Sequence, residues 1–213
     1  MISTYINPTF TKHISTKINT IIECGSRDCL DAIEMLNFYK PKVIYSFECN
    51  PDSIKVCETN IVDYNTINLI KKAVSNTNDT ITFYATDMEK SKDKNIGASS
   101  VLYHLDNKEN FIQKEISVPS VRLDKFIIDN NIEEVDLLCF DLQGYERFAV
   151  EGMSDEIKKV KYIISEVSFR SFYNNDQLFD DYVKLLSSKG FQLVETMSYG
   201  DFGDSLFKNI ELV

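Results

Sequence analysis

The feature that most constrains this chain is the alternation of short apolar runs with amphipathic segments. Residues 20–24, 43–47 and 135–140 are rich in β-branched, aromatic and other apolar side chains, as in buried strands. Residues 28–39 and 179–188 instead place apolar side chains at the spacing of a helix face. Strands that alternate with helices predict an α/β domain with a largely parallel sheet and helices on both of its faces.

The remaining segments extend this pattern. Further strands are predicted at residues 81–85, 116–121, 162–166, 191–196 and 205–212. Further helices are predicted at residues 50–60, 63–75, 124–130 and 146–153. Because two strands close the chain with no evident helix between them, we expect a mostly parallel seven-stranded sheet whose last strand is antiparallel. Residues 1–213 would form one domain, with residues 1–19 as an N-terminal arm or a capping helix.

Length and composition limit the kind of protein that this chain can be. Its 213 residues, 43% of them hydrophobic, suit one domain with a substantial core. We expect a cytoplasmic protein, because the chain has neither the roughly 20 apolar residues of a membrane helix nor the pattern of a secretory signal. The formal net charge of −10 argues against a nucleic-acid partner, since phosphate contacts need clustered Lys and Arg. Oligomeric state is left open.

The five cysteines are expected to be reduced core thiols of a reducing compartment. They are Cys24, Cys29, Cys49, Cys57 and Cys139, an odd number without the paired spacing of metal ligands. The two histidines, His13 and His104, lie far apart in the sequence, so no zinc site is expected.

Two residues directly after predicted strands point to a ligand crevice, because α/β sheets bind ligands beyond the carboxyl ends of their strands. Gly25 follows residues 20–24, and taken alone it indicates a plain turn more strongly than a ligand loop. Glu48 follows residues 43–47, where an acid can accept hydrogen bonds from both ribose hydroxyls of a nucleoside. The alternative for Glu48 is a surface residue that caps the next helix. The two together favour a nucleoside cofactor, although neither G-x-G-x-x-G nor a P-loop is present.

Two further acids end predicted strands. Asp141 follows the apolar run at residues 135–140, and an acid leaving a buried strand needs a partner, water or a chemical role. The alternative for Asp141 is the N-cap of the following helix, and the residues alone leave the two interpretations level. Glu166 closes residues 162–166, where a structural salt bridge is the stronger interpretation.

Several blocks of the sequence, in order from about residue 20 to 210, resemble the FkbM-type methyltransferases. The most specific block is VDLLCFDLQGYERFAVEGM, which is similar to the family's apolar strand, Asp-x-Glu-Gly turn and following helix. The other blocks that carry the resemblance are IIECGSRDCLD, VIYSFECNPDSIKVCETNI, GASSV, VPSVRLDKFI and GFQLVETMSYGDFGDSLFKN. The resemblance implies a Rossmann-like methyltransferase fold, S-adenosylmethionine as cofactor, and O-methylation of a sugar or a hydroxylated small metabolite.

Carried over by position, the resemblance also implies a set of cofactor-binding residues. Four residues of the first block would line the methionine end of the cofactor: Glu23, Gly25, Ser26 and Arg27. Glu48, followed by Cys49, would hold the ribose. Asp87 and Met88 would flank the adenine, and Asp141 would lie near the transferable methyl group.

The chain departs from the family's pattern at four positions of these blocks. Arg27 stands at the usual asparagine, Cys29 at the usual second glycine, Cys49 at a common proline, and Gln143 at the usual glutamate. These departures motivate a second interpretation, a binding module that keeps the fold without turnover. A nicotinamide-dependent oxidoreductase is a third, which the missing G-x-G-x-x-G argues against.

Methyl transfer to oxygen needs in-line alignment and gains from a base that takes the hydroxyl proton. Asp141 is the first candidate for this base or for orienting the hydroxyl, Glu166 is the second and His104 a distant third. The irregular segment at residues 88–115 is predicted to determine acceptor specificity.

Overall fold

The computed structural model describes residues 3–105 and 111–213, and its strands form one large and one small sheet. In chain order the strands are β1 (Thr20–Cys24), β2 (Val43–Phe47), β3 (Ile67–Ile70), β4 (Ala73–Val74), β5 (Thr80–Thr86), β6 (Gln113–Val121), β7 (Val135–Phe140), β8 (Val160–Ser168), β9 (Phe191–Ser198) and β10 (Phe202–Asn209). The α-helices are α1 (Pro8–Thr11), α2 (Leu30–Tyr39), α3 (Pro51–Asn60), α4 (Leu123–Asp129), α5 (Glu146–Glu151) and α6 (Phe179–Ser188). Short 3₁₀ helices lie at Thr4–Ile6, Ile96–Ala98 and Ser154–Lys159.

The large sheet has seven strands in the order β3-β2-β1-β7-β8-β10-β9. The pairings from β3 through β8 are all parallel, whereas β10 runs antiparallel to both of its neighbours, β8 and β9. This confirms the predicted mostly parallel sheet with an antiparallel last strand. The chain reverses its direction of travel across the sheet between β1 and β7, and such a reversal opens a crevice at the carboxyl ends of the strands.

The central strands are apolar on both faces because helices cover both sides of the sheet. Ile22 of β1, Leu138 of β7 and Ile163 of β8 belong to one buried apolar cluster. Their chain neighbours Ile21 and Leu137 point to the other face, where a second cluster packs against α2. This double burial fixes the register of β1 and β7, since a slip of one residue would exchange the two faces.

The predicted helix at residues 63–75 is wrong, because this segment forms β3 and β4. Ile67–Ile70 pairs in parallel with Ile44–Phe47 and so extends the sheet beyond β2, a long-range contact that local periodicity cannot show. The strand predicted at residues 81–85 exists as β5, but it belongs to the small sheet of order β4-β6-β5. The third parallel strand of the large sheet is therefore β3.

The N-terminal residues pack against the domain through short helical segments. Phe10 of α1 is fully buried, and the Ser3 N–H donates a hydrogen bond of 2.6 Å to the Glu34 carboxylate of α2. All five cysteines are buried free thiols. Among residues 3–105 and 111–213, no helix combines the length and the apolar character that a membrane crossing requires.

Candidate active site

A cavity of about 340 Å³ lies beyond the carboxyl ends of β1, β2 and β7. Arg27 follows β1, Glu48 follows β2, Asp141 follows β7, and Glu166 projects into the cavity from β8. The volume falls within the range of small-molecule sites. The fold thus brings together the acids that the sequence places after three separate strands.

The loop after β1 is shaped by its close approach to β7. Gly25 has a φ of +91°, and a Cβ atom added there would lie 1.8 Å from the carbonyl oxygen of Asp141, so only glycine fits. Arg27 and Cys29 have φ values of +53° and +59°, in the left-handed region that asparagine and glycine tolerate best. These are the positions at which the resembled family has asparagine and glycine. Arg27 and Cys29 therefore keep the loop's backbone shape at some conformational strain.

Two of the residues expected at the methionine end of the cofactor, Glu23 and Ser26, do not line the cavity. The Ser26 hydroxyl donates a hydrogen bond of 2.7 Å to the Glu23 carboxyl, and both side chains are buried. Burial raises the pKa of Glu23 to about 8. Contact of Glu23 and Ser26 with a cofactor stays a prediction, and their visible role is to support the loop.

Glu48 ties the loop after β1 to the start of α3. One carboxylate oxygen accepts a hydrogen bond of 2.8 Å from the Arg27 N–H. The other accepts hydrogen bonds of 2.7 Å from the N–H groups of Cys49 and Asn50. Asn50, not Glu48, is the N-cap of α3, so the simple capping alternative is wrong. Glu48 is 8% exposed and, like Cys49, lines the cavity. Burial raises its pKa, and the three hydrogen bonds oppose that rise.

Asp87 and Met88, expected beside the adenine, are not among the residues that line this cavity. The Asp87 carboxylate instead accepts hydrogen bonds of 3.1 Å from the N–H groups of Glu89 and Lys90. Asp87 and Met88 come directly after β5, which belongs to the small sheet, and this explains why they do not line the cavity. Their contact with a cofactor stays a prediction.

Sequence reasoning missed the residues that occupy the corresponding wall of the cavity. Lys72, Ala73 and Val74 follow β3, and Phe83 comes from β5. The available signal was the run Ile67–Ile70, whose β-branched and apolar residues also suit a short strand.

Asp141 and Glu166 are joined by the side-chain amide of Gln143. Its nitrogen donates hydrogen bonds of 2.7 Å to Asp141 and 2.9 Å to Glu166, and its oxygen accepts one of 2.8 Å from the Tyr173 hydroxyl. Tyr145 is the N-cap of α5, so the capping alternative for Asp141 is wrong. Burial raises the pKa of both acids, and the negative charge of Asp141 raises that of Glu166 further.

Aromatic side chains line the cavity beside this acid pair. Phe172 and Tyr173 follow β8, and Phe202 begins β10 with 42% of its surface exposed. His104 is 8% exposed, and its ring centroid lies 4.9 Å from those of Tyr173 and Phe111. Part of the predicted specificity segment lies here, whereas its residues 106–110 fall outside the described residues. This wall places aromatic side chains next to the carboxyl groups of Asp141 and Glu166.

Comparisons with known proteins identify the family of this chain. Residues 22–193 match the methyltransferase FkbM domain. The chain belongs to this family. The 2-O-methyltransferase NoeI of Sinorhizobium fredii is 26% identical over 197 residues, which cover 90% of this chain and 80% of that protein.

Solved structures show the same fold at low sequence identity. Methyltransferase FkbM from Methylobacillus flagellatus superposes with a TM-score of 0.57 at 13% identity, covering 90% of this chain but only 44% of that one. The chain thus spans less than half of that FkbM methyltransferase. The Methanococcus jannaschii fibrillarin pre-rRNA processing protein has a TM-score of 0.56 at 12% identity, covering 91% and 67% of the two chains. These likenesses confirm a Rossmann-like methyltransferase fold.

Proposed function

We propose that this FkbM-family protein transfers the methyl group of S-adenosylmethionine to a hydroxyl oxygen of a sugar or another small hydroxylated metabolite. The observation that carries the proposal is a single cavity lined by Glu48 after β2 and by the acid pair Asp141 and Glu166 at β7 and β8. One end offers chemistry suited to a nucleoside, and the other offers chemistry suited to a hydroxyl group.

The residues of the cavity fit the cofactor. The Glu48 oxygen bonded only to the Arg27 N–H keeps capacity to accept a ribose hydroxyl. Ala73, Val74 and Phe83 provide an apolar wall against which a base can pack. When bound, S-adenosylmethionine supplies a methyl group carried on a positively charged sulfur. Carboxylates such as Asp141 favour a cation in their neighbourhood.

The acid pair fits a hydroxyl acceptor. Asp141 would take the proton of the acceptor hydroxyl, and Glu166 would accept a hydrogen bond that orients the acceptor. The methyl group would leave the cofactor sulfur, which becomes a neutral thioether, for that hydroxyl oxygen. Burial raises the pKa of both carboxyl groups, and a raised pKa makes a carboxylate a stronger base toward the acceptor hydroxyl. The aromatic side chains of Phe172 and Phe202 can pack on the apolar face of a sugar ring. The similarity to NoeI, a 2-O-methyltransferase, supports an oxygen acceptor.

Two measurements test the proposal. Calorimetric titration with S-adenosylmethionine, S-adenosylhomocysteine and NAD should show binding of the first two ligands only. A screen of sugars and hydroxylated metabolites with methyl-labelled cofactor should then identify an acceptor. NAD binding in place of S-adenosylhomocysteine would favour an oxidoreductase. Cofactor binding without any labelled product would favour the binding module.

A further inference from the structure

Gln143 occupies a bridging position between the two acids. It lies in the turn between β7 and α5 with a φ of +53°. Its amide nitrogen donates to both Asp141 and Glu166, and its amide oxygen accepts from Tyr173. The Ser100 hydroxyl donates a hydrogen bond of 2.8 Å to the Gln143 backbone carbonyl and so holds the turn itself. Both amide hydrogens are therefore engaged, one with each acid.

The chemistry of this bridge is specific to an amide. A primary amide presents two donors on one nitrogen without adding a charge, so it can hold two carboxylates at once. A glutamate has at most one O–H donor, and only when protonated. A glutamate at position 143 would also add a third acid to the group, and like charges at close range disfavour ionisation.

We propose that Gln143 is a positioning residue, whose amide holds Asp141 and Glu166 together in the orientation that meets the acceptor hydroxyl. This inference rests on the proposed methyl transfer. Gln143, which stands where the family usually has a glutamate, would thus take part in the reaction of this chain.

Several charged groups from neighbouring elements face the pair. They are Arg27 of the first loop, Asp31 of α2, Glu48 after β2, Glu146 of α5 and Asp204 of β10. Burial raises the pKa of the Tyr5 phenol, and the Asp141 charge raises it further. Burial also raises the pKa of the Tyr173 phenol, and the charges of Glu166 and Asp141 add to that rise. Arg27 is the one cation among these groups. Burial and the surrounding acids raise the pKa of both Asp141 and Glu166, and the hydrogen bonds from Gln143 oppose that rise.

The first test needs neither cofactor nor acceptor. Gln143→Met keeps the length of the side chain and removes both donors, so the pKa values of Asp141 and Glu166 should rise further. A folded-state pKa above the unfolded value stabilises the protein at low pH, and this contribution is lost as the pH rises. The denaturant midpoint of Gln143→Met should therefore fall below that of the wild type by a margin that grows as the pH rises above the ordinary carboxyl pKa of about 4. Gln192→Met, at an exposed position of β9, should show a shift that does not depend on pH.

The second test uses turnover on the acceptor found by the screen. Gln143→Met should lower kcat at least tenfold and move the acidic limb of the kcat profile upward by about one pH unit, with a smaller effect on the dissociation constant of S-adenosylhomocysteine. Gln143→Glu provides a second variant in case Gln143→Met does not fold. It should also move the acidic limb of the kcat profile to higher pH, because it adds a third acid to the group. Gln143→Asn keeps the amide on a shorter side chain and should not restore the wild-type profile.

Different results would refute the role of Gln143 and the proposed methyl transfer. Unchanged kcat and an unshifted acidic limb in both Gln143→Met and Gln143→Glu would overturn the role of Gln143. A pH-independent stability change in Gln143→Met would do the same. If the wild-type protein binds no S-adenosylhomocysteine while Gln143→Met shows the pH-dependent loss of stability, the bridge between the acids stands and methyl transfer is refuted.

Discussion

Glu48→Gln tests both the loop-holding and the cofactor-holding role of this residue, each with its own measurement. In the wild-type protein, Glu48 accepts hydrogen bonds from three backbone N–H groups, two on one carboxylate oxygen and one on the other. Glutamine has a single acceptor oxygen, which will stay with the pair Cys49 and Asn50 and leave the Arg27 N–H facing an NH₂ group. A buried donor without a partner costs about 1–3 kcal/mol, so we expect the free energy of unfolding to fall by about 2 kcal/mol.

The same change should weaken binding of S-adenosylhomocysteine. Loss of a charge-assisted hydrogen bond to the ribose costs about 1.5–3 kcal/mol, which corresponds to roughly 10- to 150-fold in dissociation constant. Denaturant unfolding and calorimetric titration measure the two effects separately. The control is Glu58→Gln, which breaks the exposed ion pair with Lys71 and should change both quantities little. If Glu48→Gln binds S-adenosylhomocysteine as tightly as the wild type, Glu48 does not hold the ribose.

Three further predictions concern other parts of the site. Asp141→Asn should lower turnover on an identified acceptor by about 10²–10⁴-fold while changing S-adenosylhomocysteine affinity much less; near-normal steady-state rates would exclude Asp141 as the base. Gly25→Ala should destabilise the fold by more than about 3 kcal/mol in denaturant unfolding, because its Cβ would collide with the Asp141 carbonyl and its φ is positive; a normal midpoint would contradict this geometry. Glu23 has a folded-state pKa of about 8 against an ordinary 4.5, so its contribution to stability is full below pH 4.5 and is lost as the pH rises to 8. Glu23→Gln should remove that decline, which amounts to about 5 kcal/mol over this pH range, and an unchanged pH profile of stability would show that Glu23 does not titrate in this range.

Local patterns in the sequence were sufficient for much of the fold. The strands at residues 43–47 and 135–140 have the predicted bounds, because continuous apolar runs suit strands that are covered on both faces. Helix α6 also has its predicted bounds, since one apolar face at helical spacing determines which side packs on the sheet. The positions of Glu48 and Asp141 followed from the same reasoning, as residues after parallel strands meet at one edge.

Tertiary pairing decided what local patterns could not. Residues 67–70 become a strand because β2 offers an unpaired edge. As a result, Ala73 lines the cavity where the sequence had predicted Asp87. The same limit applies to Gln143, which the sequence shows only as a departure from a family pattern. Its meaning comes from Glu166, 23 positions later in the chain, which the β7–β8 pairing brings within hydrogen-bond distance of the amide. A hydrogen bond between distant positions depends on the register of the strands that carry them, and register is set by the burial of whole strand faces.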